Sequence, residues 1–463
     1  MAVIIMGTLM STIDMGGSRV ILPHMEQFFQ TSPDVVVWVS LIWVLVGSSL
    51  MLSMGRAADM FGRKRLYSMG FAVFIVGLAL CASAQNVIQL VIYRFIQSFG
   101  AAMTIAIGPA VLTAAFPANE RGKALGIMGA VGGLGLLSGP ALAGLCLDYI
   151  GWRSFFYLRI PFVAIGLVMV LLLLKKEPSR DSKERFDIPG AATFFLALVC
   201  LLFVLTQGQR WGWSSLWIIG LSCLGILFLV SFIIAEKKVT HPVLDLSIFR
   251  IRLFSIAVVS HIFLYIANTA VNFSVPFYLI DGLGYNASKA GLLLVTIPAL
   301  TLLLSPLSGK LSDKLGTLAL CAVGLILNVL GLFLLRSAGI DTSTGSIVFY
   351  LIIMGIGMGL FVTPNTSAII GAVPARRLGS ASAMVGTLRH IGMSMGLAIS
   401  GSVFAVSRSS HAADLADEGV VQGVIGNLST VGGFQDTILV ALIAAVIGLL
   451  VSIFRGKVKA TSA

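Results

Sequence analysis

The chain runs to 463 residues with 31 basic and 19 acidic side chains, a net charge of +12, yet only 11% of it is charged and 57% is hydrophobic. Soluble domains carry about 25% charged residues, so this composition excludes a water-soluble globular protein. The basic excess points to an acidic partner such as nucleic acid only until the charges are placed along the chain.

Apolar runs of about 20 residues, enough to cross a bilayer as a helix, recur from end to end. The spacing predicts fourteen, near residues 3–23, 35–57, 66–84, 87–114, 123–147, 155–174, 188–207, 214–235, 252–273, 288–308, 317–336, 345–370, 380–406 and 434–454. A transmembrane β-barrel would alternate polar and apolar residues; these runs do not. With the N-terminus in the cytoplasm, the outer loops hold only Arg153, Arg210, Lys289, Arg336 and Arg408. Arg19, Arg94, Arg159 and Arg389 fall inside spans, and every other Lys and Arg lies on the cytoplasmic side. That bias is the positive-inside pattern, and it predicts that both termini are cytoplasmic. The charge is topological and calls for no nucleic acid. Cys81, Cys146, Cys200, Cys223 and Cys321 lie in or beside spans without a C-x-x-C pair, which reads as neither disulfide nor metal framework. Met1 leads straight into an apolar run, without the basic region of a cleavable signal peptide. The absence of a Walker motif argues against ATP as the energy source.

The first run carries Thr8, Ser11, Asp14 and Ser18 at helical spacing, a polar stripe on one face. Asp14 lies about 11 residues into the run, roughly 17 Å at 1.5 Å per residue. It is the one acid this deep in any span, and acids at such depth usually face a water-filled or substrate cavity. Between the second and third runs, GRAADMFGRKRLY at 55–67 places an acid, two glycines and four basic residues in a short turn at a membrane face. Its G-x-x-x-D-x-x-G-R-K pattern, carried by Gly55, Asp59, Gly62, Arg63 and Lys64, resembles the loop between helices 2 and 3 of the major facilitator transporters. The mechanical reading is a latch: Asp59 accepts hydrogen bonds from a neighbouring helix start while Arg63 and Lys64 hold two helices together. The plainer reading is a positive-inside anchor.

Other stretches refine the resemblance. The first run ends I-D-M-G-G-S-R-V-I-L-P, similar to the L-D-x-T-I-V-N-V-A-L-P signature of the fourteen-helix drug:proton antiporters, with Arg19 where that pattern has Asn. The fourth run contains Tyr93–Gly100, which resembles the family's R-x-x-Q-G-x-G motif through Arg94, Gln97 and Gly100. Buried Arg94 needs a partner, and Asp14 is nearest in depth; the pair serves either proton transfer or structure alone. The fifth run is rich in glycine. Gly129, Gly133, Gly139, Pro140 and Gly144 resemble the antiporter motif that accompanies export, small residues allowing close helix packing and proline a kink. The following G-W-R-S-F-F-Y-L-R-I-P is similar to the family's G-W-R-W-I-F-F-I-N-V-P, and Arg159 again replaces Asn. Arg19, Arg94 and Arg159 would make the outer half of the first cavity basic and suit an anionic or zwitterionic head group. The alternative has Arg19 and Arg159 snorkelling outward or pairing with Glu26 and Asp148.

The stretch 175–187 is the most polar and closes a first six-helix half. The next two runs, joined by Q-R-W-G-W at 209–213, read as an inserted lipid-facing hairpin. An internal repeat supports two halves: GRAADMFGRK at 55–64 recurs as GKLSDKLGTL at 309–318, matching Gly55 to Gly309, Asp59 to Asp313 and Gly62 to Gly316. In the ninth run His261, Tyr265, Asn268 and Asn272 share one face and are candidate substrate or proton-path residues, or else helix–helix hydrogen-bonding groups. Pro364 and Asn365 predict a kink, Arg389 and His390 lie in a stretch resembling the subfamily's R-x-x-G region, and 407–433 reads as a long outer loop.

The resemblance covers most of the chain. It implies an all-α integral membrane protein of two six-helix bundles, 1–174 and 252–463, with a loop, inserted pair and linker over 175–251. It further implies alternating access in the plasma membrane, and proton-coupled export of an amphiphilic small molecule. Asp14 and Arg94 would couple protons; Ser11, Ser18, Arg19, Gln97, Arg159, His261, Tyr265, Asn268, Asn272, Arg389 and His390 would line the cavity. The only partners expected are the bilayer and substrate, the only energy source the proton gradient, and the working unit a monomer. Export or flipping of an anionic metabolite or lipid is the rival, motivated by the three arginines. A membrane enzyme or receptor lacks support, since no nucleophile–base cluster stands out.

Overall fold

The structure, a computed structural model, describes residues 1–115, 121–174, 188–238, 246–373 and 378–454. Eighteen α-helices are present among them, and no strand. They are α1 (Ala2–Gly17), α2 (Leu22–Phe28), α3 (Pro33–Val36), α4 (Trp38–Phe61), α5 (Arg63–Ser83), α6 (Val87–Ala115), α7 (Arg121–Tyr149), α8 (Ser154–Tyr157) and α9 (Arg159–Leu173). Then come α10 (Ile188–Trp211), α11 (Leu216–Lys238), α12 (Arg252–Phe277), α13 (Ala287–Leu294), α14 (Thr296–Leu315), α15 (Thr317–Arg336), α16 (Thr344–Gly371), α17 (Leu378–Asp417) and α18 (Gln422–Ile453). Eleven segments are long and apolar enough to cross a membrane among the described residues, and three shorter apolar ones lie at 2–17, 33–47 and 192–208.

Helices α1, α4, α5, α6, α7 and α9 pack mainly on one another, as do α12 and α14 to α18, while α11 pairs with α10, which touches α4 and α17. Burial sorts centre from rim. Two thirds (67%) of the best-buried apolar stretch of α12 is covered by protein, against 17% for α11, which turns Leu216, Trp217 and Leu227 outward. With no water in the bilayer core, each backbone closes its own hydrogen bonds, so side chains are free to face lipid.

The repeat seen in the sequence has a geometric counterpart. α4 ends on Gly62 at φ +92° and α14 ends on Gly316 at φ +82°, and each glycine starts the next helix. L-residues pay about 1–2 kcal/mol in that left-handed region, so glycine at both turns lets two helices meet without an intervening loop. Nothing is described for the side chains of Gly55, Asp59 and Asp313. Lys64 Nζ donates to the Leu171 carbonyl of α9 at 2.7 Å, so this end of α5 is tied to α9.

Two expectations are corrected. The first apolar run is not one helix to residue 23; it breaks after Gly17, and Ser18–Ile21 form turns before α2. The loop expected at 407–433 is mostly helix, because α17 continues to Asp417 and α18 begins at Gln422.

Candidate functional site

The sequence of α1 puts Asp14 in its last turn, beside the break, where it meets α6 and α9. Arg94 of α6 donates from Nη1 to Asp14 Oδ2 at 2.6 Å and to Gln97 Oε1 at 2.7 Å, and from Nε to the Val39 carbonyl of α4 at 2.9 Å. Gln97 returns an N–H to Asp14 Oδ1 at 3.2 Å. Arg159, the first residue of α9, donates to the same Oδ1 and through Nε to the Phe155 carbonyl. Asp14, Arg94 and Gln97 have no solvent exposure, and Arg159 has 1%. Aromatic faces complete the shell, with the Arg94 guanidinium 5.0 Å from the Trp43 ring and that of Arg159 4.2 Å from Phe155. Cations over ring faces are held by the ring quadrupole.

Arg159 therefore neither snorkels nor pairs with an outer-rim acid. Both acids proposed as its partners are occupied elsewhere. Glu26 Oε1 accepts from Arg408 Nη1 at 2.8 Å, and Asp148 accepts from the Ala287 and Ser288 backbone N–H groups at 3.0 and 2.8 Å, capping α13. Arg19 is buried, at 8% exposure, and its Nη2 has no hydrogen-bond partner among the described residues. Ser11 approaches Thr104 of α6 at 3.5 Å, and Ser18 donates its N–H to the Asp14 carbonyl. One carboxylate against two guanidiniums leaves this buried cluster with an excess positive charge.

The polar face of α12 makes side-chain contacts within the second half. His261 is buried and its Nδ1 lies 3.2 Å from Asn365 Nδ2 of α16, while Asn272 donates back to Asn268 O and Oδ1 at 2.8 and 2.9 Å. Tyr265 packs on the His261 ring at 4.8 Å. His261 Nε2 and Asn268 Nδ2 stay buried without a hydrogen-bond partner among the described residues, so this face keeps unsatisfied polar atoms. His390 of α17 instead crosses to the first half: a Cβ on Gly47 of α4 would lie 2.9 Å from its Nδ1. Arg389 is half-buried beside it.

The glycines of α7 divide by face. A Cβ on Gly139 would fall 2.5 Å from the Ile13 carbonyl and 2.8 Å from Gly17 N, so Gly139 is the contact that lets α1 lie against α7. Gly144 touches the backbone of Ala287 and Ser288, and Pro140 meets Gly291, both on α13. Gly133 faces Leu302 of α14, whereas Gly129 has open space. One helix is thus shared between the halves. At the end of the bundle carrying α2, α3, α8 and α13, here the distal end, Gln27 Nε2 also donates to Asp281 Oδ1 at 2.7 Å. Sequence reasoning missed these cross-half pairs; Glu26 and Arg408 are 382 positions apart, and nothing local to either marks the other.

A multi-helix bundle with an ion cluster buried in one half and a seam between repeated halves is the architecture of a membrane transporter. Family comparison is specific on this point: the Major Facilitator Superfamily description matches residues 4–397 and 257–460, and the chain belongs to that family. It is 32% identical to the riboflavin transporter RibZ of Clostridioides difficile over 88% of each chain. It is 31% identical to the multidrug resistance protein Stp of Mycobacterium tuberculosis, covering 86% of this chain and 74% of that one. Multidrug resistance protein 3 of Bacillus subtilis matches at 30% over 86% and 78%. Among solved structures, a POT family transporter in complex with 5-aminolevulinic acid superposes with a TM-score of 0.69 at 15% identity, covering 98% and 96% of the two chains, which shows the fold alone.

Proposed function

We propose that this protein is a proton-coupled exporter of amphiphilic small molecules, working by alternating access as a monomer in the plasma membrane with both termini cytoplasmic. The three shorter apolar segments are read as spans beside the eleven longer ones, which makes fourteen. The distal end then faces outward. The observation that carries the reading is the fully buried Asp14 held between Arg94 and Arg159. While both guanidiniums touch it, its charge is compensated and a proton has no place. Moving α9 or α6 away from α1 leaves a carboxylate at membrane depth, which is neutralised by taking a proton. Substrate and proton then compete for the same cluster without meeting. The names of the relatives, drug resistance proteins and a riboflavin transporter, support a small organic cargo.

The test is internal pH in proteoliposomes as candidate amphiphiles are added, wild type beside Asp14→Asn. Substrate-evoked proton flux that disappears in the variant supports antiport through Asp14. Substrate movement indifferent to both the variant and the pH gradient means a uniporter or flippase.

A second reading, export of compounds with an anionic head group, is favoured by one observation: Arg19 is buried with an unpartnered Nη2 and no carboxylate on it among the described residues. A carboxylate or phosphate would balance it. Arg19→Asn with Arg159→Asn is expected to lower transport of anionic amphiphiles at least tenfold relative to neutral ones. Equal transport of the two classes would remove the basis for this reading.

A further inference from the structure

Among the described residues, Glu26 is the one acid at the distal end that is both buried and shared between the halves through a side-chain ion pair. It sits on α2 with 7% exposure, and only Oε1 is engaged, by Arg408 of α17; Oε2 is buried and has no hydrogen-bond partner among the described residues. A carboxylate offers about four acceptor positions, so this one is far from satisfied. The charges around it do not help. Asp281, at the distal end of the helix that continues α12, and Asp34 of α3 both act on it with like charge, against the single cation of Arg408. Arg210 of α10 is engaged at 3.4 Å by Asp34, and His411 of α17 at 3.1 Å by Asp436 of α18; His24 lies on the same short helix as Glu26 and is solvent-facing. Glu26 also lines a cavity of about 750 Å³ at the distal end, bounded by Asp34, Arg210, Ser402, Arg408 and Ser429. The cavity reaches exposed residues such as Ser409 and Arg210, which gives water and protons a route in.

We infer that Glu26 is a second proton-binding site, separate from Asp14, which takes up a proton from the aqueous phase at the distal end as the two halves close over it. In an open distal end Glu26 would be hydrated and ordinary; closed, it is only 7% exposed, bonded through one oxygen and crowded by two acids. Burial accordingly raises its pKa from 4.5 to about 7, against the opposing pull of Arg408. The closed state therefore binds this proton more tightly than the open one. The proton favours closure fully below about pH 4.5, and that contribution is lost as the pH rises through about 7. Acid on the distal side closes the gate and alkali loosens it. In an exporter fed by protons from outside, this returns the protein to its inward-facing form once the outer medium has supplied its proton.

The inference rests on the alternating-access reading, and a distance measurement separates the two. Spin labels at Tyr149→Cys and Val421→Cys, exposed distal positions in opposite halves, are placed in a chain carrying Cys223→Ser and reconstituted in nanodiscs. Pulsed electron resonance then reads the distal separation between about pH 8 and about pH 5. The closed-to-open ratio is expected to rise on the order of 100-fold as the pH falls through that interval. Glu26→Gln, neutral at every pH, should stay closed throughout, and Asp14→Asn, although it shifts the balance of the two states, should keep a pH response that adding Glu26→Gln removes. Arg408→Gln, which removes the only compensating cation, should move the midpoint to higher pH. A wild-type pH response that survives in Glu26→Gln overturns the proton site, as does an Arg408→Gln midpoint that moves down. Distal ends that never separate, with or without substrate, overturn alternating access as well.

Discussion

At the scale of single residues, the burial of an acid between two arginines decides what can be changed. Removing one member of a buried ion pair strands the other charge at a cost of about 3–5 kcal/mol, and Asp14 serves two partners. Asp14→Asn is expected to lower the thermal unfolding midpoint by several degrees in detergent. Adding Arg159→Asn should restore part of the loss, because one stranded guanidinium goes with it; a double variant less stable than the single would contradict the shared-carboxylate geometry. The Asp14–Arg94 contact was legible in the sequence from depth alone, since both residues sit mid-run and one needs the other. The third member was not. Arg159 follows Asp14 by 145 positions and opens a different helix, so its reach to Oδ1 depends on how α9 docks against α1. Arg19 was flagged with it as a departure from the antiporter pattern, yet the two have different fates, one paired and one with an unsatisfied nitrogen.

Among the helices, α7 shows how one element can serve two packing partners. Its Gly139 lies against the α1 backbone and its Gly144 against α13, while Gly129 meets nothing. Gly139→Ala is expected to reduce folded yield and to destabilise the chain by a few kcal/mol through overpacking, whereas Gly129→Ala should be neutral or slightly favourable by helix propensity. Fluorescence-detected size-exclusion after a heating series distinguishes them, and equal profiles would mean that the α1–α7 approach is not tight. Glycine density announced this helix in the sequence, but not which glycine met which neighbour. The opposite error occurred at 407–433. Hydropathy marks where a chain leaves the apolar layer, and S-R-S-S-H-A-A-D-L-A-D is polar enough to leave it while still forming good helix, so α17 runs on to Asp417.

For the molecule as a whole, the described contacts between halves tie the distal end shut. A Cβ on Gly401 of α17 would lie 3.0 Å from Val37 Cβ, beside the start of α4. Disulfide-bonded cysteines have Cβ atoms about 3.5–4.5 Å apart, so Val37→Cys with Gly401→Cys should cross-link after minor adjustment. Transport should then stop on oxidation and return with reductant. Full turnover by the oxidised protein would show that the distal seam does not open during the cycle. The two-half plan could be read from the repeat because Gly62 and Gly316 recur for a backbone reason. How the halves meet could not, since the seam is made of pairs such as Gln27 with Asp281 that share no local signature.

The sharing of α7 also bears on speed. Where Gly144 lies on Ala287 and Pro140 on Gly291, the surfaces that alternating access, as proposed, would part in each cycle expose backbone and little side chain. Adhesion between two helices grows with the number of atoms in van der Waals reach, and a smooth glycine track offers few to peel away and none to interlock. Such a seam acts as a dry bearing: cohesive enough to close, too shallow to stick. Bulkier residues on this track would clash, since a Cβ on Gly144 would run into the Ala287 carbonyl oxygen and one on Gly291 into that of Pro140; they would prise the seam apart and leave the bearing resting open.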